Sequence, residues 1–259
     1  MNKKNPLVTV ITVTYNAEKH LEHTILSVVN QTYRNIEYII IDGKSTDKTI
    51  DIIKQYSHHI SIWVSESDNG IYDAMNKGIR LSHGELIGIL NAGDFYQLDA
   101  VEKIINAYFD NFQTGIFHGN INYYFENGLF FKEKKANPDI SILYKDNNIF
   151  HPTFFVTKLT YHQNGLFDTH YKIAADMDLA MRNYNKGTHF FYLDEVITNF
   201  RMGGVSAKQI SLSLQERFEI IRKYGCSSLE SYFLKYKWKY QAFVNTVKGW
   251  LLKIMSQNS

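Results

Sequence analysis

The chain has 259 residues, 44% hydrophobic and 21% charged, a globular balance that argues against disorder and suffices for a substantial core. A net charge of +2 gives no reason to expect nucleic acid as a partner, and one cysteine, Cys226, rules out an internal disulfide and a Cys-based zinc site. The charged start M-N-K-K-N-P precedes an apolar run too short and too rich in threonine for a secretory leader. No stretch is long enough to span a membrane, so the cytoplasm is the expected compartment.

Leu7–Thr14, rich in Val, Ile and Thr, predicts a buried strand, and residues 17–30 carry Leu21, Ile25, Val28 and Val29 at helical spacing. Ile36–Ile41 is a second apolar strand closed by Asp42-Gly43, followed by a short helix over Thr46–Gln55 with Ser45 as its N-cap. Ser61–Ser65 predicts a third strand, Ile71–Arg80 a helix bracketed by Gly70 and Gly78, and Glu85–Leu90 a fourth strand. Strands alternating with helices imply βαβ units and a parallel sheet. The second half reads differently. Asn120–Phe125 and Leu129–Lys132 flank Glu126-Asn127-Gly128, a strong hairpin signal. Phe150–Thr157, His189–Leu193 and Val196–Arg201 predict strands, whereas Asp176–Asn185, Leu212–Tyr224 and much of Ser228–Met255 predict helices.

A polar cluster follows each of the first four strands: Thr14-Tyr15-Asn16, then Asp42-Gly43-Lys44-Ser45-Thr46-Asp47, then Ser65-Glu66-Ser67-Asp68-Asn69-Gly70, and finally Asn91-Ala92-Gly93-Asp94. One such cluster is only a turn, but four at the same end of a parallel sheet build a single rim, where ligands of open α/β sheets bind. A hard divalent cation takes one or two protein carboxylates and completes its shell with phosphate and water. Asp94 therefore stands where a metal–diphosphate would sit; the alternative is an Asp in a strand-to-loop turn.

These stretches resemble the family-2 glycosyltransferases of the GT-A fold. The match runs through V-T-V-I-T-V-T-Y-N-A, S-V-V-N-Q-T-Y, I-I-I-D-G-K-S-T-D-K-T, S-E-S-D-N-G-I-Y-D-A-M-N-K-G-I and I-G-I-L-N-A-G-D-F, spanning residues 7–95 almost without a gap. Weaker agreement extends through A-A-D-M-D-L-A-M-R and F-R-M-G-G-V-S. The likeness is to bacterial enzymes that build exopolysaccharide, capsule or lipopolysaccharide O-antigen. It implies an α/β, Rossmann-like nucleotide-sugar fold with a mainly parallel central sheet flanked by helices and a C-terminal helical extension. Residues 1–225 would form the GT-A domain, with 1–98 the nucleotide-sugar-binding half and 99–225 the acceptor half, and 226–259 the tail.

The resemblance implies nucleotide contacts by Thr14, Asn16, Asp42 and Asp68, while Asp47 is better read as a helix N-terminal charge. Asn91, Ala92, Gly93 and Asp94 fall on the family's D-x-D region, with Asn and Gly where many members carry Asp. Asp94 is left as the ligand of Mn²⁺ or Mg²⁺, with a weaker intrinsic affinity, so that the metal arrives with the sugar nucleotide. Asp176 matches the carboxylate of the family's E-D motif, although Ala175 replaces the Glu; it would be the base of an inverting single displacement. Asp178, two residues on, is the weaker candidate. His151 would line the acceptor cleft. Arg182 and Arg201 would contact phosphate or else pair with a carboxylate, and Met202-Gly203-Gly204-Val205-Ser206 offers a loop to close over the donor. The Q-x-x-R-W element of processive members is absent, since Gln215-Glu216-Arg217-Phe218 has the wrong spacing and no Trp, which favours transfer of one sugar.

After Glu230 there is no acidic residue, while Lys235, Lys237, Lys239, Lys248 and Lys253 are interleaved with Tyr232, Phe233, Tyr236, Trp238, Tyr240, Phe243 and Trp250. A basic aromatic helix suits the headgroup region of an anionic membrane, which a polyprenyl-diphosphate-linked acceptor would explain; the alternative is a helix packed on the domain. The expectation is thus a cytoplasmic enzyme, peripheral on the inner face of the cell membrane. It would move one sugar from a nucleotide donor, a UDP-sugar favoured, to a saccharide or lipid-linked acceptor. A sugar-1-phosphate nucleotidyltransferase would need a glycine-rich basic loop after the first strand, and none is there. The missing carboxylates at Asn91, Gly93 and Ala175 keep open a non-catalytic sugar-nucleotide-binding or assembly subunit.

Overall fold

Every residue of β1 (Val8–Thr14) is buried, because both faces of this strand are covered. The computed structural model describes residues 5–142, 149–204, 209–227, 232–234, 236–238 and 240. Strand β1 pairs in parallel with β2 (Ile36–Asp42) and β4 (Leu86–Asn91), and β2 pairs in parallel with β3 (Ile62–Ser65). Alternate residues of these strands enter different cores, as the strand period of two requires. Val8, Val10, Tyr38, Ile40, Leu86 and Leu90 face one side, and Ile11, Val13, Ile39, Ile41, Ile87 and Ile89 the other. The first side is closed by α1 (Leu21–Val29), α2 (Thr49–Gln55) and α4 (Ala100–Asp110). The second is closed by α3 (Ile71–Leu81), α5 (Lys158–Asn164), α6 (Ala175–Asn185) and α7 (Ile210–Lys223). A parallel sheet sandwiched in this way reads as near-continuous apolar strands, which is how its sequence reads.

The remaining strands extend the sheet with mixed polarity. They are β5 (Phe95–Tyr96), β6 (Thr114–Tyr124), β7 (Phe130–Lys134), β8 (Phe155–Thr157) and β9 (His189–Arg201). Among the described residues the order is β3-β2-β1-β4-β8-β6-β9-β5, with β7 paired to β6. The expected hairpin is present as β6–β7, turning at Gly128 with φ 88°.

Several expectations need correction. The strand expected over Phe150–Thr157 begins with a 3-10 turn at His151–Thr153 and reduces to β8, because Pro152 has no N–H for a sheet ladder. The two strands expected over His189–Arg201 are one, β9, interrupted only by register shifts against Gly119 and Asn120 of β6. Helix α2 starts at Thr49, and Ser45 does not cap it: its hydroxyl is engaged with Asp42 instead. Gly78 does not end α3 but lies inside it, where a Cβ would come within 2.5 Å of Ile11 on β1. Its role is to let the helix lie close on the sheet. Strand β5 and helices α4 and α5 were not anticipated. Most of the expected C-terminal helix lies outside the described residues. Within it, Leu234 and Trp238 are buried in the core on the α6–α7 side, and Tyr232, Phe233, Tyr236 and Tyr240 are exposed. Among the described residues no helix is long and apolar enough to cross a membrane.

Two stability predictions follow from this packing. Gly78→Ala overfills the α3–β1 contact and is expected to cost about 1–3 kcal/mol despite alanine's better helix propensity, read from the urea midpoint. An unchanged midpoint would mean that Ile11 yields freely. His118, wholly buried on β6 among Phe154, Phe190 and Tyr192, has no partner on either ring nitrogen among the described residues, and burial lowers its pKa to about 4. The folded site refuses a proton that the unfolded chain accepts, so stability falls as pH drops from 6.5 towards 4, by up to about 3 kcal/mol. His118→Leu is expected to flatten that limb of the stability–pH curve; parallel curves for the two proteins would refute the assignment.

Candidate active site

The register of the parallel strands brings their carboxyl ends to one line. Thr14 lies opposite Asp42, Asp42 opposite Ser65, and Val13 opposite Asn91. The loops beyond are laced together. Asn16, held at φ 47°, donates its N–H to Ser45 Oγ (2.8 Å) and accepts from the Thr46 N–H (2.8 Å). The Ala17 N–H donates to Thr49 Oγ1, and the Glu18 N–H to Asp47 Oδ2. Asp47 also accepts from the Thr49 N–H at the start of α2, a helix-entry role in keeping with its sequence reading. Asp42 is fully buried, and its carboxylate accepts from the Ser45 N–H, the Ser45 hydroxyl and the Ser65 hydroxyl, so it shapes the rim from within. Asp68 comes to the open side. Its Oδ2 lies 2.6 Å from the place a Cβ on Gly43 would take, beside the exposed ring of Tyr15, while Oδ1 accepts from the Gly70 N–H. Gly43 is therefore required by close approach, and Tyr15 offers a rim aromatic that the motif reading passed over.

On α3, Asn76 bonds the backbone of Phe167 in both directions, a structural tie between this helix and the loop before α6. Lys77 pairs with Glu66 at 2.9 Å. Arg182 donates to the Leu166 carbonyl and faces inward. Residues 205 and 206 of the expected closing loop lie outside the described residues.

At the end of β4, Asn91, Ala92, Gly93 and Asp94 form a tight turn with Gly93 at φ 111°. Thr24 of α1 fixes it from below, accepting from the Gly93 N–H and donating to the Asp94 carbonyl. The Asp94 carboxylate is buried; Oδ1 accepts from the Arg201 N–H at 3.0 Å, and Oδ2 has no hydrogen bond among the described residues. Burial pushes this carboxyl up to about 7, against the pull of Arg201. The Arg201 side chain spans the turn, from the Gly93 carbonyl to the Glu126 carbonyl in the β6–β7 hairpin. Thr14 Oγ1 and Asn91 Oδ1, at the ends of β1 and β4, are sealed from solvent with no partner among the described residues. Among the described residues no three His, Cys, Asp or Glu side chains converge. One buried carboxylate suits a hard divalent cation brought in by a diphosphate and not one held by protein alone.

Asp176 stands in the first turn of α6 and lines a cavity of about 240 Å³ with Tyr123, Phe150, His151, Phe200, Ser213 and Arg217. It is the one carboxylate among the described residues lining it. Its Oδ1 accepts from the Met177 N–H at 2.8 Å and lies 3.3 Å from the Tyr72 hydroxyl, while Oδ2 has no hydrogen bond among the described residues. Burial, reinforced by Asp176, keeps the Tyr72 phenol protonated. His151 is buried, its ring against Phe154 and Phe167, and burial lowers its pKa, so it faces the cavity as a neutral ring. Phe200 also lines it, and the next residue, Arg201, donates its N–H to Asp94. Asp178, by contrast, points away and is wholly buried, accepting from Lys223 (2.8 Å) and the Tyr224 hydroxyl (2.9 Å) to dock α7 on α6.

Sequence reading missed Glu216. This buried residue of α7 accepts three backbone N–H groups, from Lys172, Ile173 and Ala174, at 2.7–3.0 Å. It fixes the chain entering α6, one residue before the Ala175-Asp176 pair. A buried glutamate inside an apolar helical pattern was the available signal.

A family model for glycosyl transferase family 2 matches residues 9–173. An uncharacterized glycosyltransferase of Haemophilus influenzae is 37% identical over 118 residues, which cover 44% of this chain and about half (47%) of that relative. A PGL/p-HBAD biosynthesis glycosyltransferase of Mycobacterium bovis is 25% identical over 226 residues, 85% of this chain and 87% of that one. Among solved structures, the mannosyltransferase PcManGT of Pyrobaculum calidifontis, in complex with GDP-Man and Mn²⁺, aligns with a TM-score of 0.66 at 19% identity, over 96% of this chain and 72% of that one. TarS of S. aureus in complex with UDP-GlcNAc aligns at 0.62 and 17% identity, over 92% and 73%. These structural likenesses identify the fold as GT-A.

Glu216→Gln turns a donor towards three N–H groups and is expected to cost about 1–3 kcal/mol of stability, measured by urea denaturation. A cost near zero would show that the loop before α6 does not depend on this carboxylate.

Proposed function

Because the chain belongs to glycosyl transferase family 2, we propose that it transfers a single sugar, with inversion, from a nucleotide donor to a hydroxyl of a saccharide or polyprenyl-diphosphate-linked acceptor. The observation that carries this reading is Asp176, the one carboxylate among the described residues lining that cleft. A single carboxylate there fits a base acting in one displacement. Asp176 Oδ2 would take the proton of the acceptor hydroxyl, a form of assistance worth about 10²–10⁴-fold in rate. Glu216 and Tyr72 hold that base in place through the chain before α6.

On the donor side, Asp68 and Tyr15 would meet the base and ribose, with Thr14, Asn16 and Asp42 setting the shape of that pocket. Asp94 would hold Mn²⁺ or Mg²⁺ together with the donor phosphates, beside Thr14 and Asn91 at the strand ends. When bound, the cation would neutralise charge developing on the leaving diphosphate. Ala92 and Gly93 keep the backbone close to it, and Arg201 fixes the turn against the hairpin. A UDP-sugar is the favoured donor; GDP-Man in one structural neighbour and UDP-GlcNAc in another make the base a direct question for experiment.

Biosynthesis of a bacterial surface polysaccharide is supported by the relatives' names and by the tail. Tyr232, Tyr236 and Tyr240, spaced by four, are exposed opposite the buried Leu234 and Trp238, an arrangement suited to the headgroup zone at the inner face of the membrane.

Thermal stability would be measured with UDP, GDP, dTDP and CMP, each with and without Mn²⁺. UDP with Mn²⁺ is expected to stabilise by about 2.7 kcal/mol at a hundredfold excess over its Kd. Asp94→Asn should lose the metal-dependent part of that shift. Asp176→Asn should keep the shift and lose about 10²–10⁴-fold in transfer. Full activity in Asp176→Asn would remove it as the base, and binding without turnover in the wild type would favour the non-catalytic subunit.

A further inference from the structure

Arg217 follows Glu216 on α7, and its side chain enters the cleft lined by Asp176. The flat face of the guanidinium lies over the Trp238 ring, with 4.3 Å from its carbon to the ring centre. The edge of the same group is unused: Nε and Nη2 have no hydrogen-bond partner among the described residues and are closed to solvent, so a ligand reaches them only as the cleft adjusts around it. Those two nitrogens are adjacent donors of the planar fork that grips a carboxylate or phosphate through two parallel bonds.

Nothing among the described residues completes that fork. Asp176 exerts a favourable field on Arg217 but makes no ion pair with it, and Glu216 is engaged by the backbone N–H groups before α6. A desolvated cation without an anionic partner is costly to keep. Stacking on Trp238 satisfies the face of the group and leaves its edge for a ligand. The position of the fork narrows what that ligand is. Asp94, proposed above to hold the donor's metal–diphosphate, follows the end of β4, and none of Thr14, Asn91 or Asp94 lines the cavity with Arg217. The residue that shares the cavity with Arg217 and carries chemistry is Asp176.

We propose that Arg217, backed by Trp238, binds an acid group, carboxylate or phosphate, on the acceptor sugar whose hydroxyl Asp176 deprotonates. The inference rests on the reading of Asp176 as base and adds a substrate class to it: the acceptor is an acidic glycoside. A neutral acceptor leaves the fork empty, and sites built to pair a buried polar group discriminate strongly against analogues that lack its partner. Ser213, one helical turn before Arg217 on the same cavity wall, stands near enough in the fold to add a hydroxyl contact.

The test is calorimetric titration of the full chain, in the presence of UDP and Mn²⁺, with three probes: methyl β-D-glucuronide, methyl β-D-glucoside 6-phosphate and methyl β-D-glucoside. The wild type should bind one of the acidic glycosides at least about tenfold more tightly than the neutral one, and which one binds tells carboxylate from phosphate. Arg217→Met keeps an apolar stem over Trp238 and should bring acidic and neutral probes within about twofold of each other, while the UDP affinity moves less than that. Arg217→Lys keeps the charge without the fork and should fall between; it carries the test if the Met variant does not fold. Equal binding of the three glycosides by the wild type, or binding of none, would overturn the proposal. So would a loss of UDP affinity in Arg217→Met as large as the loss for the acidic probe, which would give the fork to the donor diphosphate. Failure of UDP and Mn²⁺ to bind the wild type is a separate result and would strike the transferase reading itself.

Discussion

Burial of β1 on both faces is the constraint on which the rest of the molecule depends. A strand with one wet face can tolerate a polar residue at the wrong phase, but β1 has no wet face. A slip of one residue would exchange Ile11 and Val13 with Val10 and Thr12 between two differently shaped cores, and the Thr12–Tyr38 hydrogen bond would be lost with it. Register is therefore rigid, and rigid register sets Thr14 level with Asp42, and Asn91 level with Val13 one residue before. The rim needs no separate device to assemble it. It is the place where three locked strands stop being strands.

The side that holds Asp176 is organised on a different principle. There strands β6 and β9 line the cleft with Ile121, Tyr123 and Phe200, and α6 and α7 are held to one another through the buried carboxylates of Asp178 and Glu216. Asp178 of α6 meets Lys223 and Tyr224 at the end of α7, and Glu216 from the middle of α7 meets the chain entering α6. These contacts leave the Asp176 carboxylate with one oxygen bound and one facing the cavity. A buried ion pair adds little net stability, but it penalises any alternative docking that would strand one charge. Specificity of placement is what a base needs more than strength.

Legibility in the sequence followed the same division. The first four strands and their helices were readable because burial on both faces writes itself as unbroken Val and Ile, and because the polar clusters fall at their ends. The misreadings in that half concern turns: Ser45 looked like a helix cap and serves Asp42, and Gly78 looked like a helix stop and is a contact with Ile11. Both errors come from local chemistry overridden by a partner far along the chain. In the second half β9 read as two strands because Asp194 and Glu195 interrupt its apolar pattern at a register shift. Glu216 and Arg217 were seen only as a motif that failed, since their meaning lies in what α7 touches. Asp176 was found by resemblance; nothing in its own neighbourhood of sequence separates it from Asp178, and only the helix rotation does.

The bonds from Glu216 reach back 42 to 44 residues to the chain before α6. Natural recombination and laboratory chimeras alike would cut this kind of protein most conveniently in the loops between secondary-structure elements, and the segment between α6 and α7 offers such a loop. A crossover there would join a carboxylate selected in one lineage to a backbone selected in another. The two helices behave as a single unit of inheritance, so the placement of Asp176 carries over into a chimera only when both travel together.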